Sequence, residues 1–159
     1  MRPVSSHNKQ ITDFCSWNGL LVLAGVRSDA ENDGHVFANR EHDVALWFGG
    51  VDDLWKLGKP VGTGGPWLRT EVQANVPSDP YLMRGYDRKK VELSHESEQS
   101  VTITLEIDID GTGLWVSYKS FEVPAGETIK HSFPEAFSAC WVRAKCEHPT
   151  TATVQFTYR

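Results

Sequence analysis

The residues of this chain best suited to chemistry are aromatic rings set beside charges. In Ala139-Cys140-Trp141-Val142-Arg143-Ala144-Lys145-Cys146, apolar and polar side chains alternate. An extended backbone sends successive side chains to opposite faces, so Cys140, Val142, Ala144 and Cys146 share one side. Trp141, Arg143 and Lys145 share the other. A ring beside cations on a wet sheet face can stack on a sugar and hold an acidic group. The same pattern equally suits a tryptophan that covers the flank of its own domain. Trp115 opens another extended stretch just after a Gly-rich turn, and Tyr118 follows it. Trp141, Arg143, Trp115 and Tyr118 are therefore the expected ligand contacts.

Catalytic and metal chemistry find weaker support. Glu106, Asp108 and Asp110, followed by Gly111, have the alternate acids of a calcium loop, but Ile107 and Ile109 between them specify a strand. The six histidines, His7, His35, His42, His95, His131 and His148, form no HExxH or other close ligand spacing. No GxSxG elbow accompanies them. Adjacent carboxylates at Asp52-Asp53 would point to opposite sides of a strand, and a solvated turn accounts for them. Of the three cysteines, Cys140 and Cys146 would lie about 20 Å apart at ~3.3 Å per residue, beyond disulfide reach. They are expected as small buried hydrophobes, and no catalytic residue, metal or cofactor is assigned.

The elements that must carry these residues are extended throughout. Val101, Ile103, Leu105, Ile107 and Ile109 alternate with Thr102, Thr104, Glu106, Asp108 and Asp110, the period of a half-buried strand. Further strands are expected at 90–94, 100–109, 115–123, 128–133, 139–146 and 152–158, with turn residues between them. Short strands at about ten-residue spacing suggest a sandwich. Upstream, Asn18-Gly19 between two apolar runs signals a tight hairpin over 11–17 and 20–26. The second arm, 20–26, is apolar on both faces and needs cover on both. A polar loop, 27–43, leads to further strands at 44–49 and 53–57. The stretch Gly-Lys-Pro-Val-Gly-Thr-Gly-Gly-Pro-Trp, 58–67, fits no phosphate-binding pattern and is expected to be an extended linker.

Size and charge set the outer bounds. A chain of 159 residues, 40% hydrophobic and 23% charged, has the composition of a globular protein. A net charge of -5 gives no electrostatic case for nucleic acid or an anionic membrane. No apolar run approaches the roughly 20 residues that span a bilayer, and residues 1–10 lack a signal-peptide core.

Two long runs carry a family resemblance. The run His7-Asn8-Lys9-Gln10-Ile11-Thr12-Asp13-Phe14-Cys15-Ser16-Trp17-Asn18-Gly19-Leu20-Leu21-Val22-Leu23-Ala24-Gly25 resembles the closing part of a β-propeller in large, mostly uncharacterised bacterial proteins. So does Ala45-Leu46-Trp47-Phe48-Gly49-Gly50-Val51-Asp52-Asp53-Leu54-Trp55-Lys56-Leu57-Gly58-Lys59-Pro60. A linker similar to Gly64-Gly65-Pro66-Trp67 follows in them. A sandwich then opens on a motif like Ser78-Asp79-Pro80-Tyr81-Leu82-Met83-Arg84-Gly85-Tyr86-Asp87. The resemblance implies an exported parent protein whose earlier blades lie outside this chain.

The expected fold is thus all-β: a four-stranded antiparallel propeller-type blade over 1–58, a linker over 59–88, and a fibronectin- or immunoglobulin-like β-sandwich over 89–159. The expected function is that of a non-catalytic accessory module that binds carbohydrate. Its partners would be a glycan and the remaining blades, or another sheet, covering 20–26. Two alternatives stand beside it: a structural cap with no ligand, and a piece of a propeller glycosidase or lyase with His7 near its site.

Overall fold

A computed structural model describes residues 3–7, 9–30 and 33–159. Asn8 of the first resembling run, and Glu31 and Asn32 of the polar loop, fall outside them. The chain is all-β, with three four-stranded antiparallel sheets and one short 3-10 helix among the described residues. It divides into two compact units, with the boundary between Lys59 and Pro60.

The first unit holds strands β1 (Asp13–Trp17), β2 (Leu20–Val26), β3 (Val36–Asn39) and β4 (Val44–Gly49). The β1–β2 hairpin turns at Asn18 and Gly19, both with positive φ (47° and 81°), as the Asn-Gly signal requires. Two expectations are corrected. Residues 53–57 are not a strand: Val51–Lys56 forms the 3-10 helix, with the Asp53 carboxylate accepting the Gly50 N–H at 2.8 Å. The missing strand is β3, inside the stretch expected as loop, where Val36 and Phe37 provide its apolar residues. The strands run in the order β1-β2-β4-β3, so the two hairpins join through β2 and β4. That order differs from the simple succession of neighbours in a propeller blade. Leu23, Val26, Val36, Ala45 and the fully buried Trp47 form the core on one face.

The second unit contains β5 (Gly62–Val72), β6 (Tyr81–Leu82), β7 (Lys89–His95), β8 (Val101–Asp108), β9 (Trp115–Val123), β10 (Ile129–Ser132), β11 (Trp141–Cys146) and β12 (Thr150–Tyr158). Its strands match the alternation in the sequence to within two residues, except at the start. Residues 62–72, expected as linker, form the strand β5 paired along β12. The glycines mark a close approach of two backbones. A side chain on Gly65 would run into the Val154 carbonyl, and one on Gly64 into the Tyr81 hydroxyl.

The pairing has a nested logic. β5 pairs with β12, β6 with β11, β7 with β10, and β8 with β9, all antiparallel. That is one long four-rung hairpin, folded over so that β7 meets β12 and β8 meets β11. The result is two sheets, β10-β7-β12-β5 and β6-β11-β8-β9, with one shared core. Eight strands so interleaved make a jelly roll, which corrects the expected fibronectin or immunoglobulin arrangement. In those folds the last strand does not insert between the first and third. Val91, Leu93, Ile103, Leu105, Val142, Val154 and Phe156 are almost wholly removed from water. Each contributes about 1.5–3 kcal/mol.

Candidate functional site

The outer face of β6-β11-β8-β9 carries three of the four expected ligand residues, Trp141, Arg143 and Trp115. On β11, Trp141, Arg143 and Lys145 are half-buried and alternate with buried Val142, Ala144 and Cys146. On β8, Thr102, Thr104 and Glu106 point the same way. Asp108 pairs with Trp141 on one side and Trp115 on the other. The two tryptophans therefore flank one strand, their backbones roughly 10 Å apart at ~4.8 Å per strand.

Between the tryptophans the chain folds over its own carboxylate. Asp108 accepts the N–H groups of Gly111 (2.8 Å) and Gly113 (2.9 Å), and Asp110 accepts from Thr112. Both glycines have positive φ, near 86°, which the tight turn demands. The turn lies against Trp141, whose Nε1 would sit 3.8 Å from a Cβ on Gly111. These acids hold loop amides rather than converging on a cation. Among the described residues no group of three metal-ligating side chains lies together.

Beside that row lies an ionic network. The Arg143 guanidinium rests 4.3 Å from the centre of the Trp115 ring and donates through Nε to Glu106 Oε2 at 2.7 Å. Lys145 Nζ reaches the other oxygen at 3.2 Å. Partial burial opposes the charge on Glu106, but the two cations prevail and hold its carboxyl below the usual range. A carboxylate so held is a fixed acceptor. The arrangement offers hydrogen-bonding groups beside apolar ring surface.

Three of the four expected residues are thus on one face, and Tyr118 is not. It occupies the β-bulge opposite Leu105 and Glu106, where β9 slips register. Its ring turns to the core, stacks on Phe133 (5.0 Å) and meets Phe137 edge-on (4.9 Å). Its hydroxyl meets His131 Nε2 at 3.0 Å. Tyr118 is three residues from Trp115 and so already of opposite parity. The role of Glu106 went unrecognised in the sequence, since its partners come from a strand 37 residues away.

Two other polar groups are held inside the roll. Lys89 is buried, and its Nζ donates to the carbonyls of Tyr86 (2.6 Å) and Phe137 (2.8 Å). Burial lowers its pKa, with Asp87 opposing. Two carbonyl acceptors make it a strap between loops beside a cleft of about 440 Å³. His95 accepts the Ser97 N–H on Nδ1, so its Nε2 donates to the Val123 carbonyl at 2.8 Å.

In the first unit, His7 Nδ1 accepts the Lys9 N–H, and Asp53 binds Lys56 at 2.7 Å. The opposite face of this unit's sheet is apolar. Trp17 and Phe37 are 57% and 65% exposed, and both rings meet Phe48 edge-on. Cys15 is an exposed free thiol, whereas Cys140 and Cys146 are buried and free.

No known protein family and no curated protein matches this chain.

Proposed function

We propose that this chain is a non-catalytic accessory module whose jelly roll binds carbohydrate on the outer face of β6-β11-β8-β9. One observation carries the reading: Trp141 and Trp115 share that face with the Arg143–Glu106–Lys145 network, already held in place before any ligand arrives. Preordered planar polar groups beside an aromatic ring match a sugar's hydroxyl rim and its apolar face. Stacking with a few hydrogen bonds gives a weak site, with Kd roughly in the μM to mM range.

The first unit fits the role of docking element. Leu20–Val26 has apolar side chains on both faces, and another sheet packed face to face would cover the side bearing Trp17, Phe37 and Phe48. A neighbouring blade in a propeller-type parent protein would supply such a sheet. The unit would then pack as a blade does, without a blade's strand order.

The test is retention in affinity gels containing xylan, mannan or soluble cellulose derivatives. Wild-type chain should be retarded by at least one of them, and Trp141→Ala should lose that retardation while its circular dichroism stays unchanged. Equal retardation of Trp141→Ala and wild type would remove the site. A fold that melts on losing Trp141 would favour the structural cap.

A further inference from the structure

We infer that the other sheet of the roll carries a separate anion site, suited to the carboxylates or sulfates of an acidic polysaccharide. Arg88 and Lys90 on the β7 side, Lys130 on β10, and Arg159 beyond β12 line a cleft of about 290 Å³. Among the described residues, Glu92 is the single acidic side chain in its wall. Glu92 holds Lys130 at 2.8 Å, and Arg88 reaches the exposed Glu135 at 3.8 Å. Lys90 and Arg159 make no ion pair among the described residues, and both are exposed.

The chain as a whole is acidic, at -5, so this surplus of cations is local rather than compositional. Screening with a Debye length of about 8 Å at physiological salt lets a local cluster outweigh a distant net charge. The register arranges what surrounds the cations. Lys90 pairs with Ser132 on one side and Thr157 on the other, and Glu92 pairs with Lys130 and Gln155. One row across three strands thus reads hydroxyl, ammonium, hydroxyl. The next reads ammonium, carboxylate, amide.

This chemistry distinguishes the class of ligand. A polysaccharide bearing acids offers anions to the cations and hydroxyls to Ser132, Thr157 and Gln155. Single-stranded nucleic acid would look for aromatic rings on which to stack bases. The one ring in the cleft wall, His131, is turned instead into the cluster of Tyr118, Phe121 and Phe133. The site stands on the sheet opposite the tryptophan face and does not depend on it.

The experiment is affinity electrophoresis in gels containing polygalacturonate, chondroitin sulfate, neutral dextran or single-stranded DNA. Wild-type chain should be retarded by one or both acidic polysaccharides, the pair identifying the anion, and released by added salt. Lys90→Gln and Lys130→Gln should each weaken the interaction roughly five-fold, and Lys90→Glu more. Trp141→Ala should leave it intact. Retardation unchanged in the lysine variants, or equally strong in dextran or DNA, would overturn the proposal.

Discussion

Arg143 lies over the ring of Trp115, 4.3 Å from its centre, while its Nε bonds Glu106. One guanidinium therefore joins three strands' worth of outer-face chemistry: Trp115 on β9, Glu106 on β8 and its own backbone on β11. The flat fork of arginine can stack and hydrogen-bond at once, which a lysine ammonium cannot. Arg143→Lys should keep the charge yet lose the stack and one oriented bond. A loss of about 1 kcal/mol in chemical denaturation, with indole fluorescence altered, is the expected outcome. Unchanged fluorescence would mean that the ring and the guanidinium do not meet in solution.

The same network sets an acid limit. Glu106 has its carboxyl pKa lowered in the folded chain, so the fold favours its ionised form. Its contribution is present above the ordinary value of 4.5 and disappears as pH falls through the lower folded value. Glu106→Gln should be less stable than wild type at pH 7, and the gap should close below pH 4. Denaturation at several pH values measures this, and a gap independent of pH would refute it.

His131 behaves in the opposite chemical sense. Burial, and then the neighbouring Lys119, lower its pKa from 6.5. Its ring packs on Phe121 and Phe133, and its Nε2 meets the Tyr118 hydroxyl. The unfolded chain then takes up a proton more readily than the folded one. Stability is complete above 6.5 and falls as pH drops through that value, until the folded group also protonates. His131→Phe should remove that part of the slope between pH 7 and 5. Parallel curves for wild type and variant would exclude His131 as its source.

How much of this was legible in the sequence follows from what a period of two can encode. Alternation gave the strand at 101–108 and the outer placement of Trp141, Arg143 and Lys145, because both are properties of a single strand. It could not show that Arg143 faces Glu106, which depends on register between strands 37 residues apart. Nor could it tell a jelly roll from an immunoglobulin-type sandwich. Both have short strands at even spacing, and they differ only in which sheet each strand joins. The 3-10 helix at Val51–Lys56 was hidden because six residues, two turns, are too few to show a clear periodicity.

Gly64-Gly65-Pro66 was misleading for a different reason. Glycine and proline ordinarily punctuate loops, yet here the absent side chains let β5 lie against β12. Gly65→Ala tests that account, since its methyl group would strike the Val154 carbonyl in the middle of the sheet. A loss of about 2–3 kcal/mol is expected, against about 1 kcal/mol for Gly113→Ala, which meets no neighbouring atom but must hold a positive φ. Equal, small effects would return the segment to the status of a linker.

Tyr158 supplies the last prediction, and its sign is unusual. The side chain is 2% exposed, its ring stacks on Tyr86 at 4.3 Å, and its hydroxyl has no hydrogen-bond partner among the described residues. Burial drives its pKa far upward, with Tyr81 and Tyr86 adding to the effect, so the phenol stays protonated throughout the working range. A donor taken from water and left unmatched costs about 1–3 kcal/mol. Replacing it with hydrogen removes that cost while the ring keeps its stacking on Tyr86 and Tyr81 and its tilted contact with Phe156. Tyr158→Phe should therefore raise the denaturation midpoint, by about 1 kcal/mol once the small void left by the oxygen is counted. A variant less stable than wild type would mean that the hydroxyl is bonded in solution, and that this end of the core is wetter than its packing implies.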